Sequence, residues 1–331
     1  MQDVDRVKFL LDGPASPLDV GFDFTIEFQI RATLSDNPSG AGVVSGPSDD
    51  WVLGHIVVDR DIFGSGDYGD FGISLAGGRV AFGVNNGTDS YTLVSNAAIA
   101  DDQWHHVAVT RQHASGEMRI FIDGVPDISA TPPVTGNISY RDGRPTSWPN
   151  DPFLVLGAEK HDYDPSAYPS FNGFLDELRI STGVRYSSAY TPMAYLQDDT
   201  QTVGLFHMDE GQGSLLINTA TVGSGFNGQI QYGGQPAGPV WTLREAVSAP
   251  LFEPSGVELR TMDGRLWLFH RAAPEALEKV TLFTSTGHVL MQFQNVATPF
   301  EIPIQNVAPQ LIFLTLQHVG GIETLKTVVR Y

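Results

Sequence analysis

Cysteine is absent from all 331 residues, so neither disulfides nor thiolate metal sites are available, and the redox compartment cannot be read from the chain. Basic side chains are scarce: 19 Lys and Arg stand against 38 Asp and Glu, a formal charge of −19. Residues 1–250 carry 31 acidic and 13 basic side chains, while residues 251–331 carry 7 and 6. That shortage excludes nucleic acid as a partner, because phosphate backbones need clustered Lys and Arg. It also disfavours acidic lipids and acidic polysaccharides unless a cation intervenes, and leaves calcium and neutral ligands as the favoured partners. No apolar run approaches the roughly 18 residues of a transmembrane helix. The acidic start Met1-Gln2-Asp3-Val4-Asp5 has no signal-peptide pattern, as expected of a cytoplasmic protein or of a processed chain. Helical periodicity is nearly missing as well.

What is present is punctuated alternation. Thirty-five glycines and 21 prolines separate short stretches with a period of two, and 41% hydrophobic against 17% charged residues gives a globular balance. Phe24, Ile26, Phe28 and Ile30 alternate with Thr25, Glu27 and Gln29, the pattern of a half-buried strand. Val107 and Val109 alternate with Ala108 and Thr110, and Met118, Ile120 and Ile122 repeat the period before the turn Asp123-Gly124. Further strands are predicted at 7–11, 71–75, 80–84, 91–94, 153–156 and 174–180. The fold class is all-β, and 331 residues call for two folded units. The first is expected over 1–245 and a linker over 246–254. The second, over 255–331, has about seven short strands, as in a small immunoglobulin-like β-sandwich.

The order of motifs carries a resemblance. Residues 4–245 resemble the laminin G-like, concanavalin A-like jelly-roll family in several places. These are a first strand closed by Asp12-Gly13, Phe24-Thr25-Ile26-Glu27-Phe28, Trp104-His105-His106-Val107-Ala108, the triplet Leu175-Asp176-Glu177, and Asp209-Glu210-Gly211 followed by Gly213. The resemblance implies a jelly-roll sandwich that binds a glycan or a cell-surface protein, commonly with structural calcium. By that resemblance Asp12 and Asp176 are the calcium ligands. The alternative is that Asp12 serves its turn and Asp176 pairs with Arg179 or a backbone amide.

Residues 255–331 resemble the C-terminal sorting domain of type IX secretion cargo. The shared features are Val280-Thr281-Leu282-Phe283 with Gly287, Phe300-Glu301-Ile302-Pro303-Ile304, the run 311–316, Gly320-Gly321 and the terminal 324–330. Pro309-Gln310-Leu311 departs from that family's pattern, and a generic accessory domain is the alternative. The resemblance implies export through the type IX machinery and a place outside the cell or on its surface.

Enzymatic signatures are missing. Glycoside hydrolysis on a sheet needs two carboxylates on one face, whereas Asp176-Glu177 and Asp209-Glu210 are neighbours whose side chains should point to opposite faces. His105 and His106 should likewise diverge, which gives no zinc chelate, and no nucleophile elbow or phosphate loop occurs. Two acidic loops, Asp59-Arg60-Asp61 with Asp67 and Asp70, and Asp162-Tyr163-Asp164, are rich enough in oxygen to hold an ion. Sugar recognition asks for rings that stack on C–H faces, and the candidates are Tyr68, Trp148, Tyr163 and Tyr168, each of which could instead pin its loop. Trp51, Trp104 and Trp241 are assigned to packing. The expected function is therefore noncatalytic recognition, lectin-like first, with a protein-binding adhesion or matrix domain as the alternative and a glycoside hydrolase or its accessory module behind both.

Overall fold

A computed structural model describes residues 6–62, 70–140, 151–161, 164, 166–231, 239–242, 257–262, 265–270, 277–284, 289–297, 299–303, 310–318 and 321–329. The chain divides into two compact units, Met1–Thr242 and Leu243–Tyr331. The linker expected over 246–254 lies outside the described residues. No helix among them is long and apolar enough to cross a membrane.

The first unit holds fourteen strands: β1 (Arg6–Leu10), β2 (Phe24–Thr33), β3 (His55–Arg60), β4 (Asp70–Ala76), β5 (Arg79–Asn85), β6 (Ser90–Ala98), β7 (Asp101–Gln112), β8 (Glu117–Ile122), β9 (Val125–Ala130), β10 (Phe153–Leu156), β11 (Gly173–Thr182), β12 (Thr202–Phe206), β13 (Leu215–Leu216) and β14 (Gly228–Gln231). They form an eight-stranded sheet, β13-β14-β1-β10-β3-β4-β5-β6, and a six-stranded sheet, β12-β11-β2-β7-β8-β9. The alternation explains the layering. Phe24, Ile26, Phe28 and Ile30 of β2 join Val107 and Val109 of β7 in a core with Phe9, Phe71, Ile73 and Phe82 of the other sheet. Ring contacts cross between the sheets, Phe24 to Phe71 at 5.0 Å and Phe9 to Phe206 at 4.8 Å. Each such ring, once buried, is worth about 1.5–3 kcal/mol.

One expectation is corrected here. β2 is not half-buried: Thr25, Glu27 and Gln29 are as hidden as the core residues beside them. The segment 183–201 lies over that outer face, taking a hydrogen bond from Gln29 Nε2 at Ala194 O (3.1 Å) and one from Arg179 Nη1 at Gln197 O (2.8 Å). The opposite sheet is covered in part by a 3-10 turn, Asp50–Leu53, whose Trp51 is 2% exposed. Gly72 and Gly83 make that fit possible, since a Cβ on either would stand about 2 Å from the Trp51 ring.

Two strands lack an alternating signature. β3 is a continuous buried run, and β9 carries Pro126, tolerated because β9 is the edge of its sheet.

The second unit is also all-β. Its strands are β15 (Val257–Met262), β16 (Arg265–His270), β17 (Leu277–Thr284), β18 (Val289–Val296), β19 (Phe300–Ile302), β20 (Gln310–His318) and β21 (Gly321–Val329). They pair as β15-β16-β19 and β18-β17-β20-β21 around Leu266, Leu268, Leu277, Val280, Leu282, Val296, Ile302 and Leu314.

Candidate functional site

One end of the first unit collects the described parts of the acidic segments. β1 and β3 finish there and β10 and β4 begin there, because Leu10 lies opposite Phe153, Val155 opposite Asp59, and Arg60 opposite Phe71. Tyr68, Trp148 and Tyr163 lie outside the described residues. Their nearest described neighbours in sequence include Ile62, Asp70, Asp151, His161 and Asp164, and several of these belong to that end. Tyr168 is half-buried, and its N–H donates to Asp164 O (2.8 Å) in a tight turn that Ser166 also fastens to the Asp164 carboxylate.

Around this end Asp59, Asp61, Asp151, Glu159, Lys160 and His161 form a charged cluster. Asp59 Oδ1 accepts from Asp61 N (3.0 Å) and Asp59 Oδ2 from Lys160 N (2.9 Å), which joins β3 to the chain leaving β10. Lys160 is fully buried and its ammonium donates to Asp151 O and Phe153 O, both at 3.1 Å. The His161 ring bridges Asp151 Oδ1 through Nε2 (2.9 Å) and Glu159 Oε1 through Nδ1 (3.0 Å), with Asp61 Oδ1 3.5 Å from the same Nδ1. Arg6, also buried, donates from Nη1 to the carbonyls of Glu159 and Lys160 and holds this turn against β1.

The electrostatics of the cluster are unbalanced. Burial lifts the Asp61 carboxyl well above its ordinary range, and the adjacent Asp59 charge adds to the lift. For Asp59, burial acts upward too, but the hydrogen bond with Asp61 and the charges of Lys160 and His161 outweigh it and hold the group low. Burial opposes charge on His161; bonds to Asp151 and Glu159 and the charge of Asp61 overcome it and raise the ring to about 10. Asp61 Oδ1 is shut off from solvent and accepts no hydrogen bond among the described residues. A buried acceptor left so carries a penalty of about 1–3 kcal/mol.

Asp61, Glu159 and His161 place three potential ligand atoms within 4.8 Å of one another. Two carboxylates and an imidazole suit a divalent cation that accepts nitrogen, and the orphaned Asp61 oxygen fits that use. Calcium, which takes six to eight oxygens, is matched by the two carboxylates only.

The structure does not bring Asp12 and Asp176 together. Asp12 is exposed just after β1 and its Oδ1 accepts from Gly13 N (2.9 Å), the turn role. Asp176 is buried on β11 in the other sheet, opposite Gln29, and its Oδ1 accepts from Glu177 N (3.1 Å).

The opposite-face expectation for Asp176 and Glu177 is corrected by a bulge. The register jumps between Asp176 and Arg179, and Glu177 takes a left-handed backbone (φ 52). Its carboxylate therefore turns to the covered face, accepting from Leu196 N (2.9 Å) and contacting His207 Nδ1 (3.0 Å), while the His207 ring stacks on Tyr195 at 4.0 Å. Burial first, then the charges of Glu177, Asp209, Asp176 and Glu210, raise the Tyr195 hydroxyl.

His105 and His106 do diverge. His105 lies between Asp123 Oδ2 (2.8 Å) and Asp101 Oδ1 (3.1 Å), whereas His106 Nε2 meets Glu27 Oε2 (3.1 Å) beneath the segment 183–201. Trp241, assigned to packing, lies against the core and donates from Nε1 to Gly213 O (2.8 Å).

No curated protein matches the chain. Among solved structures it is similar to a candidate carbohydrate-binding protein from Bacteroides ovatus, at 13% identity and TM-score 0.42 over 70% of this chain and 59% of that one. It is also similar to domains LG4–5 of the mouse laminin α1 chain (13%, 0.39, 99% and 66%) and to the sialyllactose-bound CBM40 of a Ruminococcus gnavus sialidase (16%, 0.36, 53% and 84%). The chain thus spans 59% of the length of the Bacteroides ovatus protein. Residues 19–189, just over half of the 331, match the laminin G-like family described as the concanavalin A-like lectin/glucanases superfamily, and the chain belongs to that superfamily.

Proposed function

We propose that the first unit is a noncatalytic carbohydrate-binding module acting outside the cell or on its surface, with its sugar seated at the end that holds Asp61, Asp151, Glu159 and His161. The observation that carries this reading is Asp61 Oδ1, closed to solvent and accepting no hydrogen bond among the described residues, in a cluster whose flanking sequence contains Tyr68, Trp148 and Tyr163. Carboxylates accept from sugar hydroxyls and rings cover the C–H face of a pyranose. Asp61, Glu159 and His161 would hold a divalent cation, which supplies a positive point for vicinal hydroxyls. Because the set includes an imidazole, a divalent ion that accepts nitrogen is to be tested beside calcium.

Two buried glutamates elsewhere favour the noncatalytic reading. Glu27 and Glu177 are tied to arginine, histidine, tyrosine or backbone donors, and neither presents a free oxygen as nucleophile or acid. A glycan array probed with the intact chain, with and without calcium, tests the proposal. Binding to neutral glycans is expected. Silence under both conditions, together with capture of a protein partner, would replace it with the adhesion reading.

Residues 255–331 we assign to export through the type IX machinery, on the strength of their sequence motifs. Deleting them in the native host should leave the first unit inside the envelope; unchanged surface display would reject the assignment.

A further inference from the structure

The outer face of the six-stranded sheet is closed by the segment 183–201 as far as the row Asp176–Gln29–His106, where Ala194 O takes the Gln29 amide and Tyr190 Oη lies 3.4 Å from His106 Nδ1. Two residues further along β2 the same face comes out into solvent. There Phe174 of β11 pairs with Arg31 of β2, and Arg31 pairs with Trp104 of β7, so three side chains stand in one row across three strands. The Trp104 and Phe174 ring centroids are 6.3 Å apart, and the Arg31 guanidinium lies 5.6 Å from the Phe174 centroid. Phe174 is 42% exposed, so its ring is open to a ligand. At the edge of the row Arg31 Nε donates to Asp102 Oδ1 (2.8 Å), and Asp102 is held in a left-handed conformation (φ 68).

We infer that this row is a second carbohydrate-binding surface, on which a neutral pyranose lays its C–H face over Phe174 and Trp104 and directs its hydroxyls to the Arg31–Asp102 pair. Two tilted rings with a polar pair at their edge are what a pyranose needs, since its faces are apolar and its edges are donors and acceptors. Neutrality follows from charge. Arg31 is ion-paired with Asp102, and the 31 acidic side chains of residues 1–250 repel an anionic sugar. The inference rests on the carbohydrate-binding reading for its class of ligand, and it is independent of the loop end for its place.

The test uses the full chain and the indole N–H resonances of its tryptophans, assigned by Trp→Phe substitution. Cellohexaose, xylohexaose, mannohexaose, maltohexaose and chitohexaose are the neutral probes, with sialyllactose as the acidic one. At least one neutral probe is expected to shift the Trp104 indole, sialyllactose to leave it in place, and Phe174→Ala to weaken the neutral probe about fivefold or more with an unchanged melting temperature. A shift confined to Trp148 would sink this surface while supporting the loop site. A shift at Trp104 alone would establish the surface and count against the loop site. Silence at Trp104 with every probe, or an affinity untouched by Phe174→Ala, would overturn the inference.

Discussion

Glu27, on the outer face of β2, and Asp61, just past the end of β3, are both acidic residues with an oxygen closed to water, and their surroundings could hardly differ more. Glu27 receives Arg179 Nε (2.8 Å) on one oxygen, and Tyr186 Oη (2.9 Å) and His106 Nε2 (3.1 Å) on the other, with the Tyr186 and Tyr190 rings stacked at 3.5 Å above. Asp61 faces Asp59 and keeps an oxygen that accepts no hydrogen bond among the described residues, with His161 Nδ1 3.5 Å away. The first arrangement is saturated, so it fastens the segment 183–201 to the sheet. The second is short of donors, so it stores unfavourable charge that a cation or a sugar hydroxyl could relieve. Closure by the chain's own side chains marks structure here, and an unmet acceptor marks readiness for a ligand.

The strongest way to break this contrast is Glu27→Gln. Removing the charge leaves Arg179 buried without its anion, and a loss of about 3–5 kcal/mol is expected in urea unfolding. A loss under about 1 kcal/mol would mean the network is not what holds the covered face. Acid supplies a milder version. Burial alone would raise the Glu27 carboxyl, but the His106 bond and the Arg179 charge outweigh it and depress it. Its contribution is therefore complete above the ordinary carboxylate range and is lost as pH falls through the depressed folded value. The stability gap between the wild type and Glu27→Gln should narrow over that acid window; a constant gap would contradict the linkage.

Asp61→Asn should do the reverse of Glu27→Gln. Because the Asp61 carboxyl is raised, its ionised form costs stability as pH rises through the folded value, and the amide removes that cost. Stability at pH 7 is expected to hold or to rise by about 1 kcal/mol while ligand binding falls. A loss comparable to that of Glu27→Gln would erase the distinction between the two sites.

The sequence reveals these regions unequally. The alternation of β2 and β7 exposes the core because a buried face with period two needs no knowledge of partners. It hides the burial of Glu27, since alternation read alone assumes that the second face is wet, and only the path of residues 183–201 shows otherwise. Asp61 is legible as part of an acidic loop. Its cluster is not, because Lys160 N meets Asp59 across 101 residues of chain. Asp176 and Glu177 were open to a misreading for a local reason: a bulge adds one residue and breaks the parity on which opposite faces depend. β3 escaped notice because its apolar stretch is only Ile56–Val58 between polar His55 and Asp59-Arg60, and β9 because proline sits within it.

A crystal structure of the intact chain with the best oligosaccharide from the array is the most direct examination of the loop end. The account predicts sugar density against Asp61, Asp151 and Glu159, with a cation or a hydroxyl within bonding distance of Asp61 Oδ1. Density elsewhere on the molecule, with that oxygen still unmet, would contradict it.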